Sequence, residues 1–348
     1  MPPRFRERSA HGVAVCWGVV ASWASWRALL RRPRTRARGY RRRVTQDALT
    51  GWVEVTADAV ERARAACDEL RWHEAYRRRW REVRAEAGLR AAHASAALEG
   101  ARLPLDLVRS LATGTTSWPA AGAAPRPADD GAGPTVARGG SAAGVPAVDA
   151  EAVLVGALRG ASLVESLVPD LGSQQRAALP PLPQLLARAH TVVGAGWLPV
   201  DALGRLRTDE PALDQRGLGP APTGREVAAR IDLLARTVAT TNAPALVVAA
   251  LVHAEVLAVR PFVAGNGLVA RLVARVLATS GGLDPTGSVL PELTWADAPQ
   301  PYVAGVAGYS TGEPERVAAW FTSYASAVVA GAAAARTVAD AVLAGSLS

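Results

Sequence analysis

The sequence predicts a mainly α-helical protein, and three observations support this class. Apolar residues recur at helical spacing in several stretches, for example Val227, Ile231 and Leu234. Such stretches end at proline or glycine, as residues 247–259 do before Pro261. Alternating strand patterns are nearly absent. Because 49% of the 348 residues are hydrophobic, the chain can bury a substantial core.

The first 43 residues are strongly basic. They contain twelve arginines and one acid, Glu7, whereas the whole chain has a formal net charge of +8. The remainder is therefore mildly acidic, which argues against a uniformly basic nucleic-acid-binding domain. Residues 12–30 are apolar, but Arg27 interrupts them, so they fall short of the ~20 residues that a membrane span needs. We interpret residues 1–43 as unstructured, as a stretch upstream of a true start at Val44, or as an anchor to a membrane surface or nucleic acid.

Residues 44–111 are predicted to be a helical region. Arg64 and Asp68 lie four residues apart, as ion-paired residues on a helix do. Three aromatic residues, Trp72, Tyr76 and Trp80, repeat at the same spacing. This spacing predicts a packing seam along one helix.

Residues 112–148 are rich in Ala, Gly and Pro and are predicted to be a linker. The core is predicted to occupy residues 149–345, with helices at 151–168, 179–194 and from residue 314 onward. Residues 197–223 hold several glycines and prolines among polar residues, which predicts a short loop or hairpin.

Residues 260–271 read Arg-Pro-Phe-Val-Ala-Gly-Asn-Gly-Leu-Val-Ala-Arg. The run Gly265, Asn266 and Gly267 predicts a tight turn, and a helical pattern follows from Leu268 to Ser280. A glycine-flanked turn before a helix leaves several backbone N–H groups unpaired and pointing in one direction. This arrangement suits an anion such as a phosphate.

These residues resemble the signature of Fic (Fido) domain proteins, which is His-Pro-Phe-x-Asp/Glu-Gly-Asn-Gly-Arg-x-x-Arg. The matching positions are Pro261, Phe262, Gly265, Asn266, Gly267 and Arg271. Three positions differ: Arg260 replaces the general base, Ala264 the magnesium-binding carboxylate, and Leu268 the first phosphate-binding arginine. The resemblance implies a helical Fic-type domain with a short flap, from a family whose members mostly transfer AMP from ATP to a protein hydroxyl.

An upstream segment, Ser95-Ala-Ala-Leu-Glu99-Gly100, places two polar groups one turn apart on a helix that Gly100 ends. It resembles the Ser/Thr-x-x-x-Glu-Gly/Asn inhibitory helix of Fic proteins. In that helix the Glu pairs with the second motif arginine and blocks placement of the ATP γ-phosphate. The resemblance therefore implies a contact between Glu99 and Arg271. A buried ion pair that serves only as scaffold is the alternative interpretation.

The three replacements remove chemistry that AMP transfer needs. Arg260 has no lone pair with which to accept a proton. Ala264 offers no oxygen to magnesium, so the protein is not expected to hold that metal. Loss of a general base alone slows such reactions by about 10²- to 10⁴-fold.

We therefore predict a degenerate Fic-like protein, a pseudoenzyme that binds ATP, another nucleotide or a phosphate through Gly265, Asn266, Gly267, Arg271 and Arg260. One alternative is an active protein adenylyltransferase with an unidentified base. Another is a helical scaffold that binds no nucleotide. The resemblance implies a protein partner at the flap region, and nothing in the sequence argues strongly for a nucleic acid or a membrane.

The remaining candidate residues indicate no metal site. Cys16 and Cys67 are too few and too far apart for a disulfide framework or zinc ligands, so we expect a cytoplasmic protein. His253 is interpreted as a packed helix histidine. Glu255 is the nearest acid on that helix, and its position does not identify it as the base.

Overall fold

The computed structural model describes residues 49–115, 150–173 and 178–347. The predictions for residues 1–43 and for most of the linker lie outside these residues. Helices account for the regular structure and no strand occurs in the described ranges, so the predicted mainly α class is confirmed. The helices, numbered here along the chain, are α1 (Ala57–Leu70), α2 (Ala75–Arg78), α3 (Trp80–Leu98), α4 (Leu105–Ala112), α5 (Ala150–Leu167), α6 (Leu182–Gly194), α7 (Arg225–Thr240), α8 (Ala245–Val259), α9 (Asn266–Ser280), α10 (Pro291–Asp297), α11 (Pro299–Thr311) and α12 (Pro314–Ala344). Residues 49–55 are helical as well.

Helices α8 and α9 form the centre of the fold. Helix α8 is apolar on nearly all sides, and all but two of its residues are buried. A helix of this composition must be enclosed by others. Helix α9 packs along it, and α11 and α12 cover further faces. The motif loop between α8 and α9 is thus held by the best-packed part of the protein.

The N-terminal helices share one hydrophobic core with the C-terminal ones. Helix α1 packs on α12, and α3 packs between α5 and α10. Helix α12 is long and apolar enough to cross a membrane, yet much of its apolar surface is buried against these neighbours. This packing brings the end of α3 to the start of α9.

The predicted aromatic seam on one helix is wrong. Helix α1 ends at Leu70, and a turn precedes α2. This turn is fixed by His73, whose Nε2 lies 2.9 Å from a carboxylate oxygen of Asp340 on α12. Trp72 in the turn is consequently 70% exposed. Tyr76 is buried, and its hydroxyl bonds with Ser288 at 2.6 Å.

Residues 195–224, called loop 195–224 below, connect α6 to α7. The sequence left open whether residues 197–223 form a loop or a hairpin, and the structure has a loop. Its only regular structure is two short 3₁₀ helices, Val200–Ala202 and Arg216–Leu218. The loop lies against the α8–α9 connection, because the N–H of Arg207 donates to the carbonyl of Pro261 at 2.9 Å and the N–H of Leu213 to that of Val263 at 2.7 Å.

Candidate functional site

The site begins where helix α8 ends, at Arg260. This residue has a left-handed backbone with φ 47°, which is uncommon for a residue with a side chain. Its N–H still donates to the carbonyl of Val256 at 2.8 Å, and Pro261 prevents a further helical turn. The chain therefore reverses sharply at the position where the Fic signature has its base.

The buried side chain of Arg207 holds the carbonyl groups at this helix end. Its Nε donates to the carbonyl of Arg260 at 2.6 Å, and its Nη2 donates to those of Val259 at 2.9 Å and Pro222 at 2.5 Å. A cation here satisfies the last carbonyls and complements the helix dipole. Arg207 thus positions the motif loop, although no periodicity or motif marks it in the sequence.

Asn266 and His190 fix the inside of the motif loop. The Asn266 side chain accepts the N–H of Phe262 and donates to its carbonyl, both at 2.9 Å. The Phe262 ring stacks on His190, with centroids 3.9 Å apart. Nδ1 of His190 accepts the N–H of Gly204, so its Nε2 carries the proton donated to the carbonyl of Ala264 at 3.0 Å. Burial lowers the pKa of His190 to about 4, which keeps the ring neutral.

The start of helix α9, where an anion cradle is predicted, faces the carboxylate of Asp214. Gly265 enters the helix with φ 81°, which favours glycine. Helix α9 then begins at Asn266, two residues earlier than predicted. The backbone N–H of Asn266 donates to Asp214 at 2.7 Å, and its side-chain Nδ2 donates at 2.8 Å. These donors and the helix dipole favour a negative charge, and here a protein carboxylate supplies it.

Asp214 lies among other charged groups. Burial, and next the negative charge of Glu99, raise the pKa of the Asp214 carboxyl to about 7. The positive charges of Arg207 and Arg260 act on the same carboxylate. Arg260 is 3% exposed, and its Nη1 donates to the carbonyl of Gln215 at 3.2 Å. Its Nε is buried without a hydrogen-bond partner among the described residues.

Arg271, one turn further along α9, is paired with the predicted inhibitory helix. Its Nη2 donates to Glu99 at 2.6 Å and to the carbonyl of Ser95 at 3.1 Å, while its Nε donates to the Ser95 hydroxyl. Its Nη1 lies 3.3 Å from the hydroxyl of Tyr302. The Arg271 side chain is 1% exposed and that of Glu99 11%. The predicted contact of Glu99 with Arg271 is thus present, and the predicted phosphate-binding and inhibitory roles stay predictions.

Glu99 is also held from the loop side. Nε2 of Gln215 lies 3.0 Å from each carboxylate oxygen of Glu99. A side chain at Gly267 would collide with this carboxylate, since a Cβ atom there would lie 1.9 Å from Oε1 of Glu99. Gly100 ends the contact segment with φ 92°. The close approach of Glu99 to α9 therefore depends on Gly267.

Two of the replaced positions, Ala264 and Leu268, present neither a carboxylate nor a cation to the site. Ala264 is 8% exposed and presents only its carbonyl, which His190 engages. Leu268 is buried and lines a cleft between α3, α5 and α9. The described residues contain no group of three His, Cys, Asp or Glu side chains that could hold a metal ion. Position 264 has no carboxylate, so it does not supply the magnesium ligand of the Fic signature.

His253 and Glu255 on helix α8 both have structural partners. His253 is fully buried, and its Nε2 lies 2.7 Å from the hydroxyl of Tyr302. Its ring is surrounded by Trp295, Tyr302, Trp320 and Tyr324. The interpretation of His253 as a packed histidine is confirmed. The carboxylate of Glu255 accepts two bonds from Arg230 at 2.8 Å and one from Tyr309, so it does not replace the missing base.

Fold and site define a helical protein whose motif region and architecture resemble those of Fic proteins, and comparison with known proteins supports this resemblance. Residues 182–278 match the model of the Fic/DOC family, which confirms the predicted resemblance. A Fic family protein from Desulfovibrio desulfuricans G20 has a similar structure, with a TM-score of 0.57 and 18% identity over 80% of this chain and 74% of that one. Fic-1 (residues 134–508) from C. elegans aligns with a TM-score of 0.54 and 15% identity, over 94% of this chain and 82% of that one. No curated protein matches the chain.

Proposed function

We propose that this protein is a Fic-type pseudoenzyme that binds a nucleotide through its phosphate groups and does not transfer AMP. The binding groups are the N-terminus of α9 and the side chain of Arg271. The protein acts by binding rather than by chemistry, in a compartment that we take to be the cytoplasm.

One observation carries this proposal: carboxylates already occupy the groups that a phosphate would use. Asp214 accepts a hydrogen bond from the N–H of Asn266 at 2.7 Å, and Glu99 accepts one from Nη2 of Arg271 at 2.6 Å. Carboxylate and phosphate oxygens prefer the same donors, namely helix-start N–H groups and guanidinium. The site is thus built for anions, and its own side chains act as the anions in this structure.

The absence of transfer follows from the same geometry. Arg260 stays protonated at working pH and cannot accept the proton of an attacking hydroxyl. Ala264 holds no metal, and Leu268 adds no positive charge beside the phosphates. The three losses affect one transition state, in which a base and charge neutralisation are both required.

Nucleotide binding in this proposal requires that Glu99 leave Arg271. A closed site lowers the apparent affinity by the fraction of molecules that are open. We therefore expect weak binding by the unaltered protein and tighter binding once Glu99 is removed. The loop 195–224, which exposes Val200 at 84%, is the place where we propose that a protein partner binds.

Calorimetric titration with ATP, ADP and AMP tests the proposal on the unaltered protein and on Glu99→Ala. The control is Glu292→Gln, which alters the carboxylate bound to Arg275, one turn further along α9. We expect Glu99→Ala to bind ATP at least tenfold more tightly than the unaltered protein, and the control to bind as the unaltered protein does. If Glu99→Ala binds none of the three at millimolar concentration, the protein is a scaffold and the proposal is wrong.

A second function, protein adenylyl transfer with a different base, is favoured by one observation. Asp214 is a carboxylate in the site whose pKa of about 7 suits a general base at neutral pH. It would take the proton of a protein hydroxyl, whose oxygen bonds to the α-phosphorus as pyrophosphate leaves. Incubation of Glu99→Ala with ATP labelled on the α-phosphate tests this. Label on protein that disappears in Glu99→Ala/Asp214→Asn establishes this function, and its absence supports the pseudoenzyme.

A further inference from the structure

We propose that loop 195–224 makes a second inhibitory contact in the site, from a part of the chain other than the segment that carries Glu99. The proposal rests on the proposed function, because it assumes that a phosphate binds at the start of α9. Asp214 takes the donors of Asn266 that the phosphate needs, and Gln215 keeps Glu99 on Arg271.

Loop 195–224 is hydrogen-bonded to the connection between α8 and α9. The N–H groups of Arg207 and Leu213 donate to the carbonyls of Pro261 and Val263, at 2.9 and 2.7 Å. The side chain of Arg207 adds bonds to the carbonyls of Val259 and Arg260, at the end of α8. The two residues after Leu213, Asp214 and Gln215, therefore lie beside the start of α9.

Asp214 competes directly with an anionic ligand. It accepts both the backbone N–H and the side-chain Nδ2 of Asn266, at 2.7 and 2.8 Å. The backbone N–H is the first one of α9, where the dipole stabilises an anion most strongly. A phosphate oxygen and the Asp214 carboxylate cannot accept that hydrogen at the same time.

Gln215 links the two inhibitory contacts. Its backbone has φ 52°, an uncommon conformation for a residue with a side chain. In this conformation its carbonyl accepts a bond from Arg260 at 3.2 Å, while its side chain reaches both oxygens of Glu99. Strained backbone of this kind persists only where the surroundings hold it. Release of Glu99 therefore removes support from the loop, and release of the loop removes support from Glu99.

The test is binding of inorganic pyrophosphate, measured by calorimetry without added metal. Four proteins are compared with the unaltered chain: Asp214→Ala, Asp214→Asn, Glu99→Ala and the double variant Asp214→Ala/Glu99→Ala. Asp209→Ala is the matched control, because it removes an exposed carboxylate of the same loop. Circular dichroism establishes that each variant is folded before titration.

We expect Asp214→Ala to bind pyrophosphate about tenfold more tightly than the unaltered chain, on the scale of charge effects at a helix terminus. Asp214→Asn, which keeps the shape and loses the charge, should gain less. Because Gln215 links the contacts, the gain in the double variant should differ from the product of the single gains. Asp209→Ala should behave as the unaltered chain.

Two outcomes overturn the proposal and are distinguishable. If Glu99→Ala gains affinity while both Asp214 variants bind as the unaltered chain does, the loop makes no inhibitory contact and the proposed function stands. If no variant binds pyrophosphate at millimolar concentration, the proposed function fails and the second inhibitory contact fails with it.

Discussion

Helix α9 carries two buried arginine–glutamate pairs one turn apart, and they differ in where the partners come from. Arg275 binds Glu292 at 3.0 Å and the carbonyls of Gly287 and Val289, all within 17 residues along the chain. Arg271 binds Ser95 and Glu99, which are more than 170 residues away. The local pair joins α9 to the connection that follows it and to the start of α10. The distant pair joins a separate helix to the motif, so it can open without dismantling α9.

The largest effect is expected at the local pair. In Glu292→Ala the guanidinium of Arg275 loses the buried carboxylate that pairs with it and keeps only the carbonyls of Gly287 and Val289 as bonded acceptors, and breaking a buried pair costs about 3–5 kcal/mol. Urea denaturation should show this loss in the free energy of unfolding. Glu292→Gln, which retains an acceptor, should lose less. A loss below ~1 kcal/mol for Glu292→Ala would contradict the structural role of this pair.

Removal of Glu99 should cost less stability. In Glu99→Ala, Arg271 keeps the Ser95 hydroxyl and carbonyl and the Tyr302 hydroxyl as acceptors. Because Glu99 is 11% exposed and Glu292 only 4%, water can replace more of what is lost at Glu99, and we expect a loss of about 1.5–3 kcal/mol, the range for a hydrogen bond to a charged group. The same urea series measures it. A loss as large as that of Glu292→Ala would make the two pairs equivalent and remove the distinction between them.

Asp214 should make the stability of the folded protein depend on pH. Its pKa is raised from 3.8 to about 7 in the folded protein, so the folded state holds this proton more tightly than the unfolded state. The stability from this group is present at low pH and is lost as the pH rises through about 7. Relative to the unaltered chain, Asp214→Asn should therefore gain stability between pH 5 and pH 8. A difference between the two proteins that stays constant over this range would contradict the raised pKa.

Ser95→Ala should have a small effect. It removes the hydroxyl that accepts from Nε of Arg271 while Glu99 and the Ser95 carbonyl remain. The expected loss in the free energy of unfolding is about 0.5–1.5 kcal/mol. If Ser95→Ala instead matches Glu99→Ala in both stability and ATP affinity, the hydroxyl rather than the carboxylate holds Arg271.

No effect is expected from restoring the base alone. Arg260→His places an imidazole at the motif position, but Ala264 still offers no metal ligand and Leu268 no cation. Incubation with labelled ATP should therefore give no label on protein. Labelling by this single variant would show that positions 264 and 268 are dispensable.

The helices that position the site could be predicted because their signals are local. The spacing of Val227, Ile231 and Leu234 lies within α7, and α8 extends the predicted range 247–259 by two residues at its start and ends where Pro261 predicts. The contact of Glu99 with Arg271 followed from the resemblance of two separate motifs. The seam through Trp72 was wrong, because a histidine contact to α12 fixes a turn that spacing alone does not reveal.

Arg207, Asp214 and Gln215 could not be predicted from the sequence. They lie in a loop without periodicity, and the partners of these residues in α8, α9 and the segment around Glu99 are 45 to 116 residues away. Only the fold places them beside the motif. Local patterns therefore identified the donors of the proposed anion site, and the structure identified the carboxylate that accepts from them.

The most direct test of the account is ATP affinity measured by calorimetry for Glu99→Ala beside Glu292→Gln. Both variants alter a glutamate that binds an arginine of α9, but only Glu99, which is partly buried, covers the proposed phosphate site. The account predicts a gain of at least tenfold for Glu99→Ala and no gain for Glu292→Gln. Equal affinity in the two variants, or no binding by either, would contradict it.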